Sequence, residues 1–128
     1  MNQTPRILLI SVVDDDDSVR FGTTSLLRAA GYVTESFGSA EEFLQSGDPR
    51  RFACIVTDIQ MPGMSGIELA NRLSGNEAPT PVILVTARTE KEILSTATAS
   101  RAACLLRKPF TADQLLECVS SAIIAGST

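Results

Sequence analysis

The sequence predicts an α/β domain built on a five-stranded parallel sheet with helices on both faces. Two observations carry this expectation. Short apolar runs bounded by turn residues alternate five times with stretches of helical apolar periodicity. Acidic, hydroxyl and lysine side chains stand at the ends of several of those runs, on the edge where open parallel sheets place ligands. The chain has 128 residues, one domain's worth, and is 44% hydrophobic and 20% charged, a composition able to bury a core.

Each element has a local reason. Ile7–Val13 is a continuous apolar run and reads as a buried strand, followed by Asp14-Asp15-Asp16-Asp17. Val19, Thr23, Leu26, Leu27 and Ala30 share one helical face, and Gly31 caps the helix end. Thr34–Phe37 is a second short strand. Ser39-Ala40-Glu41-Glu42 has the form of a capping box and opens a helix that closes near Gly47-Asp48-Pro49. Cys54–Asp58 is the third strand, and Met61-Pro62-Gly63-Met64 a loop. Ser65 to Glu68 forms a second box, opening a helix over Ile67, Ala70 and Leu73. Val82–Thr86 is the fourth strand and Thr89 to Glu92 a third box. Ala103–Leu106 is the fifth strand. Thr111 to Gln114 is a fourth box, whose helix puts Leu115, Val119, Ala122 and Ile123 on one face. The helix from Thr89 to Ser100 is polar, with Ile93 and Ala97 as its apolar anchors, and is expected to be the most mobile.

Composition narrows the chemistry. A net charge of −4 argues against a nucleic-acid face. No apolar run reaches membrane-spanning length, and the first residues lack the apolar core of a signal peptide. The chain has no histidine, which rules out Ser-His-Asp and Cys-His mechanisms run by this chain alone and the usual imidazole zinc sites. Cys54, Cys104 and Cys118 match no metal or redox spacing and read as small hydrophobes in a reducing cytoplasm.

Carboxylates gathered at strand ends repel, so either one takes a proton or a cation joins them. An oxygen-only donor set suits a hard ion such as Mg²⁺. Asp14 and Asp15 therefore read as metal ligands, whereas Asp16 and Asp17 suit the positive end of the following helix. Asp58, at the end of another strand, is either a solvated loop residue or a nucleophile toward phosphorus. Thr86 is either a strand residue entering a turn or a donor to a phosphoryl oxygen. Lys108, before Pro109, is either a surface lysine or a partner for carboxylate and phosphate. An X-Pro bond can be cis, and a cis turn there would aim Lys108 inward.

Val12-Val13-Asp14-Asp15-Asp16, the block from Asp58-Ile59-Gln60-Met61-Pro62-Gly63 to Gly66, Val85-Thr86-Ala87 and Lys108-Pro109-Phe110 together resemble the receiver domain of two-component response regulators. The resemblance covers nearly the whole chain. Asp17-Ser18-Val19-Arg20 and Leu26-Leu27-Arg28-Ala29-Ala30-Gly31-Tyr32 look most like FixJ-like regulators.

The resemblance implies a flavodoxin-like fold with strand order 2-1-3-4-5. It implies that Asp58 accepts a phosphoryl group from a phosphohistidine on a sensor histidine kinase, so the missing histidine belongs to the partner. Mg²⁺ would be held by Asp15 and Asp58 directly, by Asp14 through water and by the backbone carbonyl of Gln60. Thr86, Ala87, Lys108 and Leu105 would be the phosphoryl-binding and switch positions, and Pro109 a conformational one. Switching would alter the face made by the fourth helix, fifth strand and fifth helix, which would bind a partner or a second copy. The protein would be a cytoplasmic signalling switch rather than an enzyme, touching neither nucleic acid nor membrane through this domain. Residues 1–128 read as one domain, with 126–128 a linker or tail; a stand-alone receiver and the N-terminal part of a longer transcription regulator both stay open.

The chain departs from the family pattern at Leu105, where an aromatic residue is frequent, and in lacking a glycine before the fifth strand. Gln60 and Arg88 stand at positions that tune phosphate lifetime in the family. Two rival readings are weaker. A flavin phosphate would be repelled by the four aspartates. An aspartate-nucleophile phosphatase wants a second acid where Gln60 stands.

Overall fold

A computed structural model describes residues 8–73 and 80–126. Ile7, the start of the expected first strand, and residues 127–128 of the expected tail lie outside them. In chain order the elements are β1 (Leu9–Val13), α1 (Asp17–Ala29), β2 (Val33–Phe37), α2 (Ala40–Gln45), a 3-10 turn (Pro49–Arg51), β3 (Cys54–Asp58), α3 (Gly66–Leu73), β4 (Val82–Thr86), α4 (Lys91–Ala99), β5 (Cys104–Arg107) and α5 (Ala112–Gly126). The strands form one parallel sheet in the order β2-β1-β3-β4-β5, the predicted doubly wound arrangement.

β3 and β4 are buried at every position, as expected for strands covered on both faces. Alternation sorts their side chains into two cores. Val56, Ile83 and Val85 face α1 and α5, where Leu27, Leu115 and Val119 meet them. Ile55 and Leu84 face the other side, with Phe43, Leu69 and Ala97 from α2, α3 and α4. The three phenylalanines of that side, Phe37, Phe43 and Phe52, form a ring cluster with centroids 5.5 to 6.3 Å apart. Ser11, fully buried on β1, has the one buried side-chain oxygen without a hydrogen-bond partner among the described residues.

Helix ends explain the bounds. Asp16 caps α1 by accepting from the Ser18 and Val19 amides. At its other end, Gly31 adopts φ 100°, and the Gly31 and Tyr32 amides donate back to the Arg28 and Leu27 carbonyls. This is the Schellman closure, which the left-handed glycine makes possible. The boxes at Ser65 and Thr111 form reciprocally. At α2, Ser39 accepts from the Glu42 amide, but the Glu42 carboxylate turns to the Gly38 amide.

Gly126, expected to open the tail, instead ends α5. Three further expectations need correction. The box at Thr89 does not form: α4 begins at Lys91, after an extended Glu90 that makes no side-chain cap bond. Glu90 instead pairs with Arg88 at 2.9 Å. β5 runs Cys104–Arg107, one residue later than the apolar pattern predicts, because the ladder with β4 continues through the polar Arg107. The cysteines are not three independent hydrophobes: Cys104 and Cys118 form a disulfide, and only Cys54 is a free buried thiol. Spacing rules seek cysteines one turn apart, whereas a strand and its covering helix bring residues 14 apart together.

Candidate functional site

Parallel strands all point their carboxyl ends to one edge, so residues distant in sequence meet there. Asp14 follows β1, Asp58 ends β3, Thr86 ends β4 and Lys108 follows β5. The ladder persists just past the strands, with the Ile59 amide donating to the Val85 carbonyl at 2.9 Å and the Lys108 amide to the Thr86 carbonyl at 2.8 Å. These bonds fix the strand-end residues relative to one another.

The acidic centre is Asp14, Asp15 and Asp58, each offering a carboxylate oxygen within 4.8 Å of the others'. Asp14 and Asp58 are only 5% and 8% exposed, whereas Asp15 is exposed. Asp14 is positioned from three sides. Its carboxylate accepts from the Asp16 amide at 2.9 Å, its amide donates to the Phe37 carbonyl, and its carbonyl accepts from the Arg20 guanidinium at 2.6 Å. Arg20 also pairs with Asp17, so the first turn of α1 braces the end of β1.

Lys108 Nζ lies 3.3 Å from Asp14 and 3.5 Å from Asp58. The Lys108–Pro109 bond is cis. Burial pushes the Asp58 carboxyl up to about 6; the Lys108 ammonium pulls it down, and the Asp14 charge pushes it up again. One ammonium thus leaves the three acids undercompensated. A compact, oxygen-only, partly buried donor set of this kind fits a hard divalent cation.

Thr86 is fully buried. Its hydroxyl donates to Gln60 Oε1 at 3.0 Å and accepts from the Arg88 amide at 3.0 Å. The side chain of Gln60 therefore holds the hydroxyl expected to serve the phosphoryl group. Leu105 is half-buried and packs on the α4 side of the sheet with Ile93 and Ala97, while Ala87 is exposed.

Several contributors are not apparent from sequence spacing. Gly66 opens α3 so close to β3 that a Cβ there would lie 2.2 Å from the Asp58 carbonyl oxygen. Glu41, read only as part of a capping box, reaches 23 residues along the chain to accept from the Met64 amide at 2.8 Å. That bond holds the Glu41 carboxyl below its ordinary range. Gly63, at φ 79°, leaves room for this carboxylate; a Cβ there would meet it at 2.6 Å. A Met-Pro-Gly loop signals a turn but carries no sign of its distant partner.

The chain belongs to the response regulator receiver domain family, whose model matches residues 10–120. It is 35% identical over 114 residues to the transcriptional regulatory protein FixJ of Bradyrhizobium diazoefficiens, covering 89% of this chain and 56% of that one. It is 28% identical to the response regulator protein TodT of Pseudomonas putida, covering 95% of this chain and 54% of that one. The chain thus spans about half the length of these relatives. Among solved structures it resembles FixJ-N, with a TM-score of 0.83 at 29% identity over 94% of this chain and 96% of that one. It also resembles the chemotaxis protein CheY4 of Vibrio cholerae, with a TM-score of 0.80 at 29% identity over 91% and 99%.

Proposed function

We propose that this receiver domain accepts a phosphoryl group on Asp58 from a phosphohistidine of a sensor histidine kinase and uses it to change a protein-binding face. The observation that carries the reading is the convergence of Asp14, Asp15, Asp58 and Lys108 at one sheet edge. An Asp58 carboxylate oxygen attacks phosphorus. The new P–O bond forms as the P–N bond to the donor imidazole breaks, and the departing imidazole takes up a proton. Asp14, Asp15, Asp58 and the Gln60 carbonyl would hold Mg²⁺, which when bound offsets charge on the transferring oxygens. Lys108, already between two carboxylates, supplies a second positive charge for a phosphoryl oxygen.

The switch rests on Thr86. Its hydroxyl must leave Gln60 to donate to a phosphoryl oxygen, and that exchange favours one arrangement of the β4–α4 segment over another. Leu105, beneath α4, follows the change in packing rather than locking an aromatic ring. The face of α4, β5 and α5 then engages a partner or a second copy. The half-length match to transcription regulators supports a role in controlling transcription through a segment beyond this domain.

The test is intact mass after incubation with Mg²⁺ and acetyl phosphate. One phosphoryl adduct on the wild type, absent from Asp58→Asn and prevented by prior chelation, is the expected result. An adduct that persists on Asp58→Asn would sink the assignment. Lys108→Ala should still accept the group but fail to propagate the change.

A further inference from the structure

Cys104 and Cys118 do not belong to the acidic site, yet in sequence they bracket its lysine, Lys108. Cys104 begins β5, an edge strand paired only with β4, and Cys118 lies in the middle of α5 above it. Their Cα atoms are 6.2 Å apart, inside the range a disulfide spans. The closed segment contains Lys108, whose ammonium sits between Asp14 and Asp58. A cleft of about 500 Å³ opens beside the pair, lined by Cys104, Cys118, Gln114, Glu117 and Ser121 among others. Both sulfur-bearing residues are half-buried at this cleft, which gives a small molecule access to them. Cys54 is the contrast: it is wholly buried, and burial pushes its thiol up to about 12, so it holds almost no thiolate at neutral pH.

We infer that Cys104 and Cys118 are a reversible redox modification site that takes a low-molecular-weight disulfide as oxidant and fastens the β5–α5 segment when oxidised. One cysteine thiolate attacks the reagent's S–S bond, forming a mixed disulfide and releasing one reagent thiolate. The second cysteine then attacks the protein-bound sulfur, forming the Cys104–Cys118 bond and releasing the second reagent thiolate. Two cysteine thiols are oxidised, one reagent disulfide is reduced to two thiols, and the cysteine protons pass to the released thiolates. The bond limits how far β5 and α5 move apart, because a cross-link removes open conformations of the segment it closes. The consequence for signalling rests on the phosphoryl-transfer reading: oxidation restrains the segment that carries Lys108. The redox chemistry itself does not rest on it.

The experiment uses the whole chain equilibrated with mixtures of reduced and oxidised glutathione, followed by maleimide trapping, peptide mapping and hydrogen exchange. Oxidation should join Cys104 to Cys118, leave Cys54 a thiol, and reverse with excess reduced glutathione. Exchange across residues 105–118 should slow by roughly tenfold in the oxidised form, as expected when local opening is restrained. Cys118→Ser should lose this redox dependence, and Asp58→Asn should keep it, which separates failure here from failure of the phosphoryl reading. Three trappable thiols under every mixture, a bond that includes Cys54 or joins two chains, or equal exchange in both redox states would overturn the inference.

Discussion

The two flanks of the sheet are built differently. On the β2 flank, Phe37, Phe43 and Phe52 interlock, and Arg51 pairs with Glu35 at 2.6 Å while lying 4.2 Å from the Phe52 ring centre. Serine and aspartate cap both short helical segments there. On the β5 flank, α4 buries only Ala97, and the side chain of its N-cap Glu90 caps no backbone amide of the helix. The acidic residues lie between the flanks, but Thr86, Leu105 and Lys108 belong to the second. Local stability follows buried contact, so α4, with its single buried anchor, is the helix least held by the core.

The largest expected effect tests that contrast directly. Phe43→Ala, at 1% exposure, should cost about 3–5 kcal/mol, whereas Ile93→Ala on α4 should cost no more than about 1–2 kcal/mol. Urea denaturation of both variants measures this, and comparable losses would erase the distinction between the flanks.

A smaller effect concerns the site between them. In metal-free protein the folded state keeps the Asp58 proton up to about pH 6, while the unfolded chain releases it near pH 4. Folding thus binds a proton across that window, and the penalty of an ionised buried Asp58 grows as pH rises through it. It should remove roughly 2–3 kcal/mol of stability by pH 7. Asp58→Asn has no such proton and should lack this component. Denaturation in EDTA at pH 4 to 7 checks it; parallel curves for the two proteins would locate the strain elsewhere.

The smallest effect concerns the contact between Gln60 and Thr86 at the foot of α4. Gln60→Ala frees the Thr86 hydroxyl from a single neutral hydrogen bond, worth about 1 kcal/mol. The fraction of molecules whose α4 amides exchange rapidly should rise by less than about tenfold. An unchanged α4 would mean that Thr86 is held by its neighbours rather than by Gln60.

The central strands are the legible part of this sequence. Cys54–Asp58 and Val82–Thr86 match their expected bounds because burial on both faces leaves an uninterrupted apolar run with a polar residue at its end. The edge strand β5 slips by one because its last residue, Arg107, pairs through the backbone and needs no apolar side chain. Asp14, Asp58, Thr86 and Lys108 were expected at strand ends, and the topology brings them to one edge. The links from Gln60 to Thr86 and from Glu41 to Met64 are not legible. Both are single side-chain bonds across 23 or more residues, which leave no periodicity behind. The cysteine pair is hidden in the same way, by a distance that only tertiary packing shortens.

The stretch from Asp58 to Gly66 behaves as a ruler. At its far end the Gly66 amide donates to the Ile59 carbonyl at 3.1 Å, and a Cβ on Gly66 would strike the Asp58 carbonyl oxygen. Between those ends, Glu41 holds the Met64 amide past a glycine that has no room for a side chain. A length fixed at three marks cannot gain or lose a residue without moving one of them. Chimeras that exchange α3 or α2 with another receiver should therefore tolerate wide changes in helix sequence, provided the crossover lies outside residues 58–66 and a carboxylate arm arrives together with α2.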